Sequence, residues 1–156
     1  MGRALAGQLR ATFLDADDFH PTANVAKMRA GTPLNDEDRA PWLATLNHEL
    51  VGRSKAGESV VLACSALKKS YRALMAAGLS QTHWILLEGS FELIAARMRE
   101  RPKHYMPESL LCSQFDALER PEAAIIVSIE LSPAEQVQAA LFAMRANAAK
   151  SPCGSG

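Results

Sequence analysis

Four short apolar runs constrain the fold of this 156-residue chain more than any other feature of its sequence. They occupy residues 11–14, 60–63, 84–87 and 124–129, and none of them alternates between apolar and polar side chains. A run without alternation is typical of a parallel strand that is covered on both faces. Segments of helical period separate the runs, so the chain is predicted to be an α/β protein with an open, mostly parallel sheet flanked by helices.

The helical segments are predicted at about residues 23–29, 41–55, 66–76, 91–100, 107–118 and 133–148. Pro41 suits the first turn of the second of these helices, since proline lacks an N–H that the first turn does not use. Ser90 is a candidate N-cap for the fourth. Ser132 and Glu135 have the spacing of a capping box, which predicts the start of the last helix.

The composition excludes several classes of protein. Lys plus Arg and Asp plus Glu both number 17, so the formal net charge is zero and neither nucleic acid nor an anionic membrane is an expected partner. The three cysteines form no C-x-x-C pair, and no apolar run approaches the ~20 residues of a membrane span. We therefore expect a cytoplasmic protein with one domain over residues 1–149 and a disordered tail over residues 150–156.

Polar clusters follow three of the predicted strands, at residues 15–21, 64–72 and 88–90, and a further cluster spans residues 34–42. Open parallel sheets bind ligands beyond the carboxyl ends of their strands, so these clusters are the candidate site. Carboxylates there can hold Mg²⁺ through water or accept a proton from a hydroxyl, and Lys and Arg bind phosphate or carboxylate. Together the clusters suggest phosphoryl transfer to a polyhydroxylated acid.

Structural roles explain the same residues one at a time. Asp15 and Asp17 are also good turn and N-cap residues, and Ser65 is a good N-cap. The basic residues after the second strand could be a solvated helix face, and residues 101–104 an ordinary surface loop. Only the joint arrangement favours a site.

Several motifs in order resemble one known family, the P-loop gluconate kinases of the shikimate-kinase-like group. They are FLDADDFHP at 13–21, PLNDEDR at 33–39 with PWL at 41–43, CSALKK at 64–69 with YR at 71–72, GSF at 89–91, and SQF at 113–115 with LE at 118–119. The resemblance implies a three-layer P-loop kinase-like fold. It also implies transfer of the γ-phosphate of ATP to the terminal hydroxyl of D-gluconate with Mg²⁺ as the metal, and a possible homodimer.

The resemblance also implies roles for individual residues. Asp17, Lys68 and Arg101 are the expected catalytic residues, Asp15 is expected near the Mg²⁺ through water, and residues 97–107 resemble a lid. Arg97 and Arg101 are expected at the ATP phosphates. The expected gluconate-binding residues are Asp17, His20, Arg39, Ser65, Lys68, Arg72, His104 and Gln114.

The chain departs from the family at its start. A gluconate kinase is expected to begin with a strand and then G-x-x-x-x-G-K-[ST], but no such motif occurs here. Gly2 to Leu9 instead resembles the helix that follows the P-loop, so we expect the first strand, central in this family between runs 60–63 and 84–87, to be absent. Two hypotheses follow: a gluconokinase whose N-terminal segment is missing through a misplaced start codon, or a non-catalytic remnant that binds gluconate or associates with a kinase.

Overall fold

A computed structural model of the chain describes residues 1–100 and 108–150. Its strands are β1 (Thr12–Asp15), β2 (Val60–Ala63), β3 (Ile85–Glu88) and β4 (Ile125–Ser128). A single 3₁₀ turn, Ala16–Phe19, follows β1. The helices are α1 (Gly2–Leu9), α2 (Thr22–Arg29), α3 (Asp36–Lys55), α4 (Lys69–Ala76), α5 (Phe91–Arg99), α6 (Glu108–Ala117) and α7 (Pro133–Lys150).

The element types predicted from the sequence are confirmed, with two helix starts corrected. Helix α3 begins five residues before Pro41, because the Asn35 side chain accepts the Asp38 N–H while the Asp38 carboxylate accepts the Asn35 N–H, a reciprocal cap. Helix α4 begins at Lys69 rather than Ala66, so Ser65 is not its N-cap. The Ala66 backbone has a φ of 41°, in the left-handed region, which is incompatible with a helix at that position.

The strands form two separate parallel pairs. Strand β1 pairs with β2, and Asp15 lies opposite Ala63 at their carboxyl ends; β3 pairs with β4. Within residues 1–100 and 108–150, no hydrogen-bonded ladder joins β2 to β3. This is the arrangement expected if the central strand of a five-stranded parallel sheet is absent.

Two hydrophobic clusters hold the strand pairs side by side. On one face Val61 of β2 and Ile85 of β3 both pack against a cluster formed by α1, β4 and α7. On the other face Leu62 and Trp84 both pack against a cluster that includes Trp42 of α3. Each cluster therefore receives side chains from both strand pairs, which produces helix, sheet and helix layers.

The strands of both pairs are only partly buried. All four residues of β2 are only half-buried, and Leu87 of β3 is 42% exposed. The outer strands are exposed to a similar degree, since β1 is half-buried throughout and Ile126 of β4 is 53% exposed, so burial does not distinguish the inner edges from the outer ones.

The helices that the structure describes include none long and apolar enough to cross a membrane.

Candidate active site

The carboxyl end of β1 leads into the 3₁₀ turn that carries Asp17. The Asp15 side chain accepts the Asp17 N–H at 3.2 Å and caps the turn. Asp15 therefore has the N-cap role that its residue type allows. The Asp17 side chain is 64% exposed at the same edge of the sheet. A carboxylate held beside a strand end and open to solvent can accept a proton from a bound hydroxyl.

His20 lies beneath this carboxylate. Its side chain is 4% exposed, its ring stacks on Trp42 with centroids 4.3 Å apart, and its Nε2 lies 4.0 Å from Asp17 Oδ1. Burial lowers the pKa of His20; Asp17 opposes this effect and the Arg39 charge adds to it. The imidazole is therefore neutral near neutral pH.

A cavity of about 490 Å³ opens between the start of α3, the Leu67–Lys68 segment and α6. Three residues predicted from the sequence line it: Arg39, Lys68 and Gln114. Its volume is of the size that small-molecule sites use.

Asp36 is the main lining residue that sequence reasoning missed. Lys68 Nζ donates to Asp36 Oδ1 and Oδ2 at 2.6 and 2.9 Å, and Tyr71 OH donates to Asp36 Oδ1. The hydrogen bond from Lys68, followed by that from Tyr71, lowers the pKa of Asp36, and Asp36 in turn raises the pKa of Lys68. Asp36 belongs to the acidic first turn of α3. Nothing in the sequence indicated that it would form an ion pair with Lys68, 32 residues away.

Arg39 connects the cavity with the Asp17 region. Its guanidinium lies 5.7 Å from the centre of the Tyr71 ring, and Nε donates to the Leu34 carbonyl at 3.4 Å. Its charge lowers the pKa of both His20 and Asp36. Among the described residues, no carboxylate lies within 4.0 Å of this guanidinium, so Arg39 can receive an anion without first losing an ion pair.

Arg72 has a different environment. It is 7% exposed, and Nη1 donates to the carbonyls of Ala66 and Leu67 at 2.8 and 3.0 Å. The Lys69 N–H donates to Glu119 Oε2, and the Glu119 N–H donates to the Leu67 carbonyl. These bonds shape the segment that presents Lys68 to the cavity, and Glu119 is a second residue that sequence reasoning did not assign.

The remaining residues predicted to bind gluconate or ATP do not line the cavity or lie outside the described residues. Ser65 is exposed in the segment after β2, and Arg97 lies in the last turn of α5 and does not line the cavity. Arg101, His104 and residues 101–107 of the predicted lid lie outside the described residues, as do residues 151–156 of the predicted tail.

Neither a metal cluster nor a reactive thiol is found at this edge. In the part of the chain that the structure describes, no group of three or more His, Cys, Asp and Glu side chains could hold a metal ion. Burial, with smaller effects of Asp17 and Asp15, raises the pKa of Cys64 to about 11, so this thiol stays protonated.

Comparison with known proteins identifies relatives with one activity. The thermosensitive gluconokinase of Escherichia coli (strain K12) is 44% identical over 154 residues, covering 94% of this chain and 82% of that protein. A probable gluconokinase of Xenopus tropicalis is 47% identical over 140 residues, covering 79% and 73%. No family profile matches the chain.

Solved structures agree. A crystal structure of a gluconokinase from Sinorhizobium meliloti 1021 superposes with a TM-score of 0.85 at 38% identity, covering 95% of this chain and 85% of that one. An unliganded sugar kinase from Janibacter sp. HTCC2649 superposes with a TM-score of 0.87 at 37% identity, covering 92% and 85%. With a relative 44% identical over 82% of its length, the chain belongs to the gluconokinase family.

Proposed function

We propose that this chain carries the sugar-acid side of a gluconokinase, which phosphorylates the terminal hydroxyl of D-gluconate. The carboxylate of gluconate binds Arg39, and its hydroxyls bind Lys68, Gln114 and their neighbours in the 490 Å³ cavity. Asp17, which follows β1 outside the cavity lining, accepts the proton of the terminal hydroxyl. The observation that carries the proposal is the Arg39 guanidinium, which lines this cavity with no carboxylate within 4.0 Å among the described residues.

The phosphate donor of the proposed reaction is ATP, with Mg²⁺. The residues present do not fit the phosphate cradle of a P-loop, because the 156 residues contain no G-x-x-x-x-G-K-[ST] motif. Asp15 fits a Mg²⁺ ion held through water, since a carboxylate at a strand end suffices when phosphates and waters supply the other ligands. Arg97 and Arg101 would approach the phosphates from the lid over residues 97–107.

A cytoplasmic location and a single domain over residues 1–149 belong to the same proposal. The free thiols of Cys64 and Cys112 among the described residues support a reducing compartment.

A second candidate function is gluconate binding without catalysis. One observation favours it: the cavity residues are present in a sequence that has no P-loop motif. Phosphate-binding donors and a transition-state cation are together worth at least about a thousandfold in rate. A polypeptide of these 156 residues is therefore expected to bind gluconate and to phosphorylate it negligibly.

The test combines calorimetry with a coupled kinase assay on the purified chain. Gluconate should release heat, and the neutral polyol sorbitol should bind much more weakly because it has no carboxylate for Arg39. Arg39→Met should weaken gluconate binding about tenfold or more, as expected for the loss of a charged hydrogen-bonded pair. Arg53→Met is the control on the same helix, since Arg53 pairs with Glu49 and Glu58 away from this cavity.

Lys68 gives a second matched pair. Lys68→Met should weaken gluconate binding, whereas Lys69→Met should not, because the Lys69 ammonium is exposed and lies 3.7 Å from Glu122. No heat with gluconate at millimolar concentration would refute both candidate functions. Turnover with ATP at about one per second would refute the second candidate and require a different ATP site.

A further inference from the structure

The His20 imidazole is held in one orientation by contacts on its face. It stacks on Trp42 with an angle of 13° between the rings, and Trp42 is itself 1% exposed, with Nε1 donating to the Ala16 carbonyl at 2.8 Å. A ring fixed in this way presents its two nitrogens in two set directions.

The first direction leads to Asn24, which is 4% exposed. Asn24 Nδ2 donates to the Asp38 carbonyl at 2.7 Å, and because a carbonyl only accepts, this bond identifies the amide nitrogen end of the side chain. The same Nδ2 lies 3.5 Å from His20 Nδ1. An NH₂ group only donates, so a hydrogen bond between these two atoms requires His20 Nδ1 to be the unprotonated nitrogen.

The second direction leads to Asp17. A neutral ring without a proton on Nδ1 carries it on Nε2, which lies 4.0 Å from Asp17 Oδ1. This distance is longer than a direct hydrogen bond, and contacts of this kind commonly shorten when a substrate binds. We propose that Asn24 and His20 are positioning residues: the Asn24 amide holds His20 as the Nε2–H tautomer, and this N–H orients the Asp17 carboxylate toward the substrate hydroxyl. The Asp17 role in this statement rests on the proposed function.

The electrostatics around His20 support the neutral form. Burial and the Arg39 charge both lower its pKa, against the effect of Asp17. A neutral N–H donor can orient one oxygen of a carboxylate without protonating it. The carboxylate must stay ionised to act as a base. An imidazolium in the same place would form an ion pair and weaken the base.

The decisive experiment reads the tautomer directly and needs no ligand. A two-bond ¹H–¹⁵N spectrum of the ¹⁵N-labelled chain at neutral pH distinguishes protonated from unprotonated ring nitrogens, and the His20 signals are those lost in His20→Gln. We expect a protonated Nε2 and an unprotonated Nδ1. A proton on Nδ1, alone or with one on Nε2, would overturn the proposal.

Asn24→Asp tests the cause of the tautomer. The carboxylate has the same shape but only accepts, so the Nδ1-protonated form of His20 should become the main one. Asn47→Asp is the control, because Asn47 Nδ2 likewise donates to backbone carbonyls, those of Met75 and Ala77, without contacting His20. An unchanged His20 spectrum in folded Asn24→Asp would refute the role of Asn24; if that variant does not fold, the wild-type spectrum decides.

The function of the Nε2–H is tested by two substitutions of His20. Glutamine can place an amide N–H near the position of Nε2, whereas asparagine is too short. Gluconate should bind His20→Gln within about threefold of wild type and His20→Asn about tenfold more weakly. Equal affinities would refute the positioning of Asp17, and failure of the wild-type chain to bind gluconate would refute the proposed function while the tautomer result stands.

Discussion

The two strand pairs of this protein differ in what they carry. The β1–β2 pair ends in the Asp15–His20 segment and the segment that leads to Lys68, and most of the described candidate site residues belong to it or to α3. The β3–β4 pair ends in Gly89 and Ile129, where a Cβ added to Gly89 would lie 2.3 Å from Ile129 Cγ1. One pair thus carries most of the candidate site residues, while the other ends in a close contact between Gly89 and Ile129.

This difference shows that the candidate cavity forms without a continuous sheet among the described residues. Arg39, Lys68 and Asp36 are held by α3, α4 and the segment before α4, all packed on the β1–β2 side. Among the described residues, no ladder joins β2 to β3, and neither strand contributes a residue to the cavity lining. The residues that line the cavity are therefore brought together although, among the described residues, no ladder joins β2 to β3.

The largest expected effect concerns Asp17. In a chimera whose first strand and phosphate-binding loop come from the Escherichia coli relative, Asp17→Asn should lower kcat about 10²- to 10⁴-fold, because an amide cannot accept the hydroxyl proton. Asp18→Asn, in the same exposed turn, should leave kcat nearly unchanged. Steady-state kinetics measure both, and a kcat for Asp17→Asn within about threefold of the parent would exclude the base role.

The next effect tests whether the strand pairs fold as one unit. Trp42→Ala removes a side chain that is 1% exposed and should lower the free energy of unfolding by about 3–5 kcal/mol. Leu141→Ala, in the cluster on the other face, should cost about 2–5 kcal/mol. Since both clusters contain side chains from both pairs, denaturant titrations should show one transition in each variant; two transitions would mean that the halves unfold separately.

A smaller effect is expected from removing the N-cap side chain of a helix, and two helices allow a comparison. Asn35→Ala removes the cap of α3 and Ser90→Ala removes that of α5, and each should cost about 1 kcal/mol of stability. Only Asn35→Ala should also weaken gluconate binding, because Asn35 precedes Asp36 and lines the cavity. Calorimetry on the two variants measures this contrast, and equal affinities would contradict the assignment of the site to the β1–β2 side.

The smallest effect is the pH dependence from His20. Its folded pKa lies below the ordinary value of 6.5, so the unfolded chain binds more protons and the stability from this residue is lost as pH falls through 6.5 toward the lowered value. Arg39 and Asp17 are the charged groups that act on it. Urea unfolding at about pH 7.5 and about pH 5.5 should show a larger loss for wild type than for His20→Gln; an equal loss would place the titration elsewhere.

Element types were predictable because they depend on local patterns. The apolar runs, the Ser90 and Ser132 caps and the parallel pairing all follow from residue order. The starts of α3 and α4 were not predictable, because each depends on a local backbone or side-chain geometry that the residue order does not specify. For α3 this is the reciprocal bond between Asn35 and Asp38, and for α4 it is the left-handed Ala66 backbone.

The sequence by itself determined the class of fold, the family resemblance and the residue types at the strand ends, since strand period and motif order are properties of the chain. Only the tertiary structure decided which of those side chains line the cavity and which bond to the protein itself. Arg72 turned out to bond the backbone of its own loop, and Asp36 turned out to bond Lys68 and Tyr71. These outcomes depend on distances between groups 5 to 35 residues apart along the chain, and packing sets those distances.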